Sequence, residues 1–426
     1  MPVGLKFTSR WRRIVSSERD KTRRRRQPWP SGKDLPLSKS TSKSTSKPSR
    51  AIVFTAFEPS GDALAAPVIR QLLRHDPKLA IYAWGGPLMH QAGATVLEQT
   101  VEAGAMGFSA LRRFSEVRRE VKRIKRWARE HRVLAHVAVD SPAANFPIAK
   151  AMRKAGARVI HLAAPQLWAW GRWRIGKLRR STDLVLCLLP FEEQWFNDRR
   201  VPAKFIGHPA INRRVNLQQL REQMHGLPQG APRVVIFPGS RRQEVRANTR
   251  LLVSIYNELQ GRHAGMGGVV VAANPELARL IRRRITVFPT GLHMVTGSID
   301  AAIAWCDLAL AVSGTITLDI TVHRKPMIGL YKTGVFSWLG ANLLLRTRYR
   351  LLPNIIAERE IVPEFVPHIG GPMPIVKQAT RYLQDSKNAA VQSEELHRVC
   401  LRFANHNPAE EAAKLIRKVI AGTPVT

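Results

Sequence analysis

Two short turns in the C-terminal half hold residues suited to gripping a diphosphate. The apolar run 234–237 leads into Pro238-Gly239-Ser240-Arg241-Arg242-Gln243-Glu244, which opens a helical pattern. Gly239 lets an anion approach the backbone, Ser240 can donate a hydrogen bond or cap the helix, and Arg241 offers a fixed fork of donors. A second run, 308–312, ends in Ser313-Gly314-Thr315, again at a helix start, with Asp319 about one turn inside. A carboxylate there can accept hydrogen bonds from ribose hydroxyls. Each turn alone reads equally well as an ordinary helix cap. Two of them at strand ends in one half of the chain favour a nucleotide diphosphate. No Asp-x-Asp occurs anywhere, so the carboxylate pair that usually bridges a diphosphate through a metal is missing. Metal-independent chemistry without a cofactor is the expectation, with Arg241 and backbone N–H groups stabilising the leaving nucleotide.

The N-terminal half offers a lone carboxylate. Asp140 ends the buried run 133–139 and is followed by Ser141-Pro142. It can cap the helix that Pro142 begins, or remove a proton from an acceptor hydroxyl facing the donor. Glu58-Pro59-Ser60-Gly61-Asp62 stands at the end of the first apolar run, where Glu58 or Ser60 can cap a helix and Asp62 suits its first turn. Gly85-Gly86-Pro87 makes a further turn where backbone can meet ligand. His161 and His208 read as structural. The stretch Pro165-Gln166-Leu167-Trp168-Ala169-Trp170-Gly171-Arg172-Trp173-Arg174 can line a sugar or lipid pocket or fill a core. Residues 336–350, apolar with Arg346, Arg348 and Arg350, can lie on a membrane surface or pack internally.

These residues need two frames to position them. Residues 51–208 alternate apolar runs (51–57, 80–84, 133–139, 158–162, 184–189) with helix-length segments (61–74, 111–131, 142–155). After Gly207-His208-Pro209 comes a polar, Pro- and Gly-containing connection, 209–232. The alternation then restarts with runs at 234–237, 268–272, 293–296, 308–312 and 327–331. Two successive βαβ series predict an α/β protein of two doubly wound, Rossmann-like parallel sheets facing a cleft, the GT-B arrangement. The expected divisions are a disordered basic tail over 1–50, an acceptor-binding domain over 51–208, a donor-binding domain over 209–390, and C-terminal helices over 391–426. No run of 18 apolar residues spans a membrane. Cys187, Cys306 and Cys400 lie far apart, without metal spacing or a disulfide framework. Lys and Arg outnumber Asp and Glu by 68 to 31, and 15 of the cations against 3 acids fall in residues 1–50. That balance draws the protein to anionic surfaces. The tail is poor in acids and rich in Arg and Ser, as organellar transit peptides are, yet a mistaken start codon or a basic membrane-tethering arm fits equally well.

From about residue 51 to the end, the fragments and their order resemble bacterial lipid-A-disaccharide synthases. The resemblance is carried by Glu58-Pro59-Ser60-Gly61-Asp62, Gly85-Gly86-Pro87-Leu88-Met89, Met106-Gly107-Phe108, Asp140-Ser141-Pro142 with Asn145-Phe146, Trp168-Ala169-Trp170, Leu189-Pro190-Phe191-Glu192 and Gly207-His208-Pro209. In the second half it continues through Pro238-Gly239-Ser240-Arg241 with Glu244, Ser313-Gly314-Thr315, Leu352-Pro353-Asn354-Ile355 and Val362-Pro363-Glu364. It implies transfer of 2,3-diacylglucosamine from its UDP derivative onto 2,3-diacylglucosamine 1-phosphate, forming a β(1→6) bond with inversion and releasing UDP. On that resemblance Asp140 is the base. Glu58, Ser60, Gly61, Asp62, Gly85, Gly86 and Asn145 shape the acceptor side. Gly239, Ser240, Arg241, Glu244, Ser313, Gly314, Thr315, Asp319, Asn354 and Glu364 serve the donor. It also implies an enzyme peripheral on the cytoplasmic face of the inner membrane, with an anionic membrane surface rather than nucleic acid as partner. The C-terminal helices pack back on the first domain or swap in a homodimer. Phe57, Ala110, Ala143, Ala144, Ala164, Asp319 and Pro367 depart from the family's pattern, most of them on the acceptor side. A paralogue with another acceptor, a UDP-sugar epimerase of the same fold, and a non-catalytic basic binding protein are the competing readings.

Overall fold

The computed structural model of the chain describes residues 51–101, 110–169, 171–213, 215–332 and 347–424. The tail 1–50, the Met106-Gly107-Phe108 fragment, Trp170 and the greater part of 336–350 lie outside the described residues.

The first sheet has 7 parallel strands in the order β3-β2-β1-β4-β5-β6-β7. They are β1 (Ala51–Thr55), β2 (Ala80–Gly85), β3 (Thr95–Gln99), β4 (Ala135–Val139), β5 (Arg158–Leu162), β6 (Leu184–Cys187) and β7 (Ala203–Phe205). The second has 6 parallel strands in the order β10-β9-β8-β11-β12-β13. Its strands are β8 (Arg233–Phe237), β9 (Gly267–Ala272), β10 (Leu292–Thr296), β11 (Leu308–Val312), β12 (Met327–Lys332) and β13 (Glu364–His368). The central strands β1, β4 and β11 are buried throughout because helices cover both faces of a parallel sheet, which explains why only Thr55 and His136 interrupt their apolar sequences.

Period-2 alternation divides each strand between two cores. From β1, Ile52 and Phe54 pack with Ala65 and Ile69 of helix Pro59–His75. Ala51 and Val53 face the other way, toward Ile124 and Ala128 of helix Ala110–Glu130 and Ile148 and Met152 of helix Pro142–Lys154. In β8, Val234 and Ile236 meet helix Arg242–Gln260, while Val235 and Phe237 face Ala302, Leu318 and Leu396. Helix Ser386–Leu401 stays with the second sheet. Helix Pro408–Ile420 crosses over, and its Ala412, Ala413 and Ile416 complete the first sheet's core.

Both strand orders reverse direction at one place, between β1 and β4 and between β8 and β11. At such a switch point neighbouring crossovers run to opposite faces and leave a crevice beyond the strands' carboxyl ends. Glu58 and Asp140 follow β1 and β4; the two glycine turns follow β8 and β11. The four segments singled out by their chemistry therefore leave the two switch points of the two sheets.

Three strands escape the apolar pattern: β3, β7 and β13 each end a sheet and are largely half-exposed. An edge strand buries too little to show a continuous apolar run. The polar connection 209–232 contains helix Leu217–Met224, which buries none of its residues and starts at Asn216, whose side chain accepts from the amides of Gln218 and Gln219. With no buried stripe, its period is invisible in the sequence.

Candidate active site

The turn after β8 is built around one carboxylate. Glu244, in the first turn of helix Arg242–Gln260, accepts from the Ser240 and Arg241 amides at 2.9 and 3.1 Å and from the Arg241 guanidinium at 2.9 Å. Gly239 has φ +117°, and a Cβ there would stand 2.4 Å from that of Glu244, so only glycine allows the loop to fold onto its own cap. The Arg241 side chain is 73% exposed. Its hydrogen bond to Glu244 raises its pKa against the effect of burial, and the charges of Glu244 itself, Glu58 and Tyr331 add to the rise. Glu58 belongs to the first sheet, so an acid from one half faces the cation of the other.

After β11, Ser313 donates to the Arg350 carbonyl at 3.4 Å, and Thr317 closes the turn on the Gly314 carbonyl at 2.7 Å. A Cβ on Gly314 would meet nothing nearer than 4.0 Å. Gly314 and Thr315 are exposed, their side of the turn left open. Both turns line one cavity of about 540 Å³, with Gly239, Ser240 and Arg241 on one wall and Ser313, Gly314 and Thr315 on another. Gln166, Trp168 and Ala169 reach it from the first half of the chain. Trp168 is held there by Glu192, whose carboxylate accepts from its indole at 2.9 Å and from the Leu188 and Leu189 amides. Burial pushes Glu192 up to about 7, although those same hydrogen bonds pull the other way.

Asp319 also lines this cavity, in an arrangement the sequence did not announce. Arg213, from the connection between the sheets, makes a two-pronged contact with Asp300 at 2.5 and 2.6 Å and one contact with Asp319 at 3.0 Å. His323 adds 2.8 Å to Asp300. Burial pushes Asp300 up, but Arg213 and His323 outweigh it and hold it below the usual carboxylate range. Asp319 receives less of the guanidinium and feels the Asp300 charge, so burial dominates and raises it to about 6. A folded-state carboxyl raised in this way favours the native state most below the ordinary carboxylate range; that contribution fades as pH rises through about 6. The ribose contact that the sequence leads one to expect of Asp319 needs the ionised form as acceptor. Affinity for UDP-glucose, whose phosphates do not titrate in this range, should therefore fall as pH drops below about 6. Titrations across pH 5–8 test this, and Asp319→Asn should flatten the profile.

On the first sheet, Asp140 and Ser141 both take left-handed backbone, with φ +46° and +43°. Two successive non-glycine residues in that region are costly, by about 1–3 kcal/mol each, and something must hold them. The fully buried Asn145 does: its amide donates to the Val139 carbonyl at 3.0 Å and the Asp140 carbonyl at 2.6 Å. Its Oδ1 accepts from the Thr55 hydroxyl at 2.7 Å, and Thr55 in turn meets His136 Nε2 at 2.8 Å. Burial, aided by the His161 charge, lowers His136 to about 3, so it serves as a neutral donor. The network fixes the backbone beneath the Asp140 carboxylate, which itself is half-buried. Asn145→Ala removes the side-chain donor to two carbonyls and the acceptor of the Thr55 hydroxyl. It should cost about 2–4 kcal/mol of stability in denaturant melts.

The remaining residues divide between lining and bracing. Glu58 and Ser60 are exposed at the start of helix Pro59–His75, and Gly61 is buried against Ala56 and Val139. Asp62 is buried, and its carboxylate accepts from the Gly86, Leu88 and Met89 amides at 3.0–3.2 Å, tying the Gly85-Gly86 turn to the helix that follows β1. Asn354 is fully buried on the Ile361 and Val362 backbone and on Glu364. Glu364 also receives the Arg350 and Leu351 amides at 2.8 and 2.9 Å, which anchors Arg350 in the cavity wall. Arg350 thus lines the cavity that the two glycine turns share; its closeness in sequence to Leu352-Pro353-Asn354 was the one available signal. Burial lowers His161 and His208 to about 4, in keeping with structural roles. Among the described residues, no three His, Cys, Asp or Glu side chains cluster as metal ligands.

A family model described as Lipid-A-disaccharide synthetase matches residues 52–419. The Lipid-A-disaccharide synthase of Solibacter usitatus is 30% identical over 376 residues, which are 87% of this chain and 98% of its own. The one from Pseudomonas paraeruginosa is 29% identical, over 86% of this chain and 98% of its own. Among solved structures, the UDP-N-acetylglucosamine 2-epimerase of Neisseria meningitidis, bound to UDP-N-acetylglucosamine, aligns with a TM-score of 0.57 at 13% identity. The alignment covers 88% of this chain and 99% of that one. At that identity the likeness concerns the fold, and the fold is GT-B.

Proposed function

The chain belongs to the lipid-A-disaccharide synthetase family, glycosyltransferases of lipid A disaccharide synthesis, and from that premise we propose the reaction in full. The enzyme transfers 2,3-diacylglucosamine from its UDP derivative to the 6-hydroxyl of 2,3-diacylglucosamine 1-phosphate, inverting the anomeric carbon to give a β(1→6) bond. Residues 51–208 hold the acceptor and 209–390 the donor.

The observation carrying this reading is the convergence of the two glycine turns on one cavity, with Asp140 at the switch point of the opposite sheet. Asp140 takes the proton of the acceptor hydroxyl as its oxygen attacks C1. The bond from C1 to the diphosphate oxygen breaks on the opposite side, and UDP leaves with the electron pair. The charge that develops there meets Arg241 and the open side of the Ser313-Gly314-Thr315 turn, groups already set in place before reaction. Glu244 keeps Arg241 and its loop in position, and Asp319 accepts from the ribose. No helix among the described residues is long and apolar enough to cross a membrane. Lipid substrates and a +37 chain support action at the cytoplasmic membrane surface as a peripheral protein.

The test is UDP release in detergent micelles. It should require both the UDP-diacylglucosamine donor and the phosphorylated lipid acceptor. Turnover of UDP-N-acetylglucosamine without any acceptor would point instead to an epimerase.

A further inference from the structure

A second cavity, about 810 Å³, lies between helix Pro142–Lys154 and helix Ile175–Ser181. Lys150, Arg153 and Lys154 line it from the first helix; Arg174, Lys177 and Arg180 line it from the other side. No acidic side chain is among its lining residues. The nearest acid in the network, Asp183, is taken up by Arg153 at 3.1 Å and Arg158 at 3.5 Å. The charges that Lys150, Lys154, Lys177 and Arg180 bring to one concavity repel one another, and an anionic occupant relieves that.

The groove is also amphipathic, with Pro142, Ala143, Phe146 and Pro147 forming its apolar end. That end adjoins Asp140, since Pro142 is two residues further along the chain. One segment joins this groove to the nucleotide cavity: Gln166, Trp168 and Ala169 line the latter, and Arg174, Lys177 and Arg180 the former. Lysine and arginine stems on a helix tilt toward its N-terminus, so Lys150 and its neighbours reach back toward the Asp140 end. Lys150 follows Pro142 by about 12 Å along the helix axis, and its stem leans back over part of that distance. Trp173, 74% exposed, stands beside groove-lining Arg174, whose guanidinium is 5.9 Å from the indole ring centre. An exposed indole among cations suits the place where a lipid passes from bilayer to protein.

We propose that this groove is the acceptor subsite: its cations hold the acceptor's phosphate while Ala143, Phe146 and Pro147 lie against its acyl chain. The assignment rests on the transferase reaction proposed above. The test is the Lys177→Glu/Arg180→Glu double variant, both positions being exposed. KM for 2,3-diacylglucosamine 1-phosphate should rise at least about tenfold, the loss expected for charge-assisted contacts, with donor KM within about twofold of wild type. With 2,3-diacylglucosamine lacking the phosphate, wild type should fall to the variant's level. An unchanged KM for the phosphorylated acceptor in an active variant would overturn the assignment. So would an equal rise for both acceptors accompanied by lost binding to phosphatidylglycerol vesicles, which would make the cations a bilayer contact. A wild type that releases no UDP with either acceptor would instead defeat the proposed reaction.

Discussion

Asp140→Asn should slow UDP release from the lipid substrates by about 10²–10⁴-fold, the range lost with a positioned general base, while UDP affinity stays within about twofold. Asparagine tolerates left-handed backbone nearly as well as aspartate. The turn at φ +46° and its bonds from Asn145 should therefore survive, and the loss can be assigned to the carboxylate. Asp140→Ala removes the same group but fits the left-handed turn poorly, so it should also lower thermal stability. Comparing the two separates chemistry from strain. Full turnover in Asp140→Asn would remove the residue from the mechanism.

Arg241→Ala carries the second large effect. The guanidinium is three-quarters exposed toward the cavity and is oriented by one bond to Glu244. Losing a charge-assisted contact to the diphosphate should weaken UDP binding about 10–100-fold. If the same fork stabilises the departing UDP, kcat should fall by about 10²–10³ as well. Arg241→Lys should recover little, because an ammonium cannot reproduce the planar pair of donors. Stability should hardly change, since Glu244 keeps its bonds to the Ser240 and Arg241 amides. Calorimetry with UDP together with steady-state rates measures both terms.

Much of this site was legible because parallel sheets write themselves plainly. Central strands such as β11, and β4 but for His136, are apolar runs, and whatever stands directly after them must sit at a sheet's carboxyl edge. Asp140, Gly239 and Ser313 could be picked out on those grounds alone. The division between residues that meet ligand and residues that brace the site was not legible. Asp62 bonds amides 24 to 27 residues away, Asn145 reaches Thr55 across 90 residues, and Glu364 gathers the 350–354 turn. No local spacing encodes such partners. The Arg213 bridge to Asp300 and Asp319 escaped for the same reason, as its three members come from a connection and two separate helices. The edge strands β3, β7 and β13 and the exposed helix Leu217–Met224 were missed for a different one: they bury too little to print a period.

Everything proposed for the chemistry depends on a single diphosphate held between the turns after β8 and β11. A crystal structure with UDP measures this directly. The phosphates should lie between Gly239–Arg241 and Ser313–Thr315, with the ribose toward Asp319 and the Asp140 carboxylate facing them across the cleft. Phosphates bound elsewhere, or touching only one of the two turns, would contradict the account.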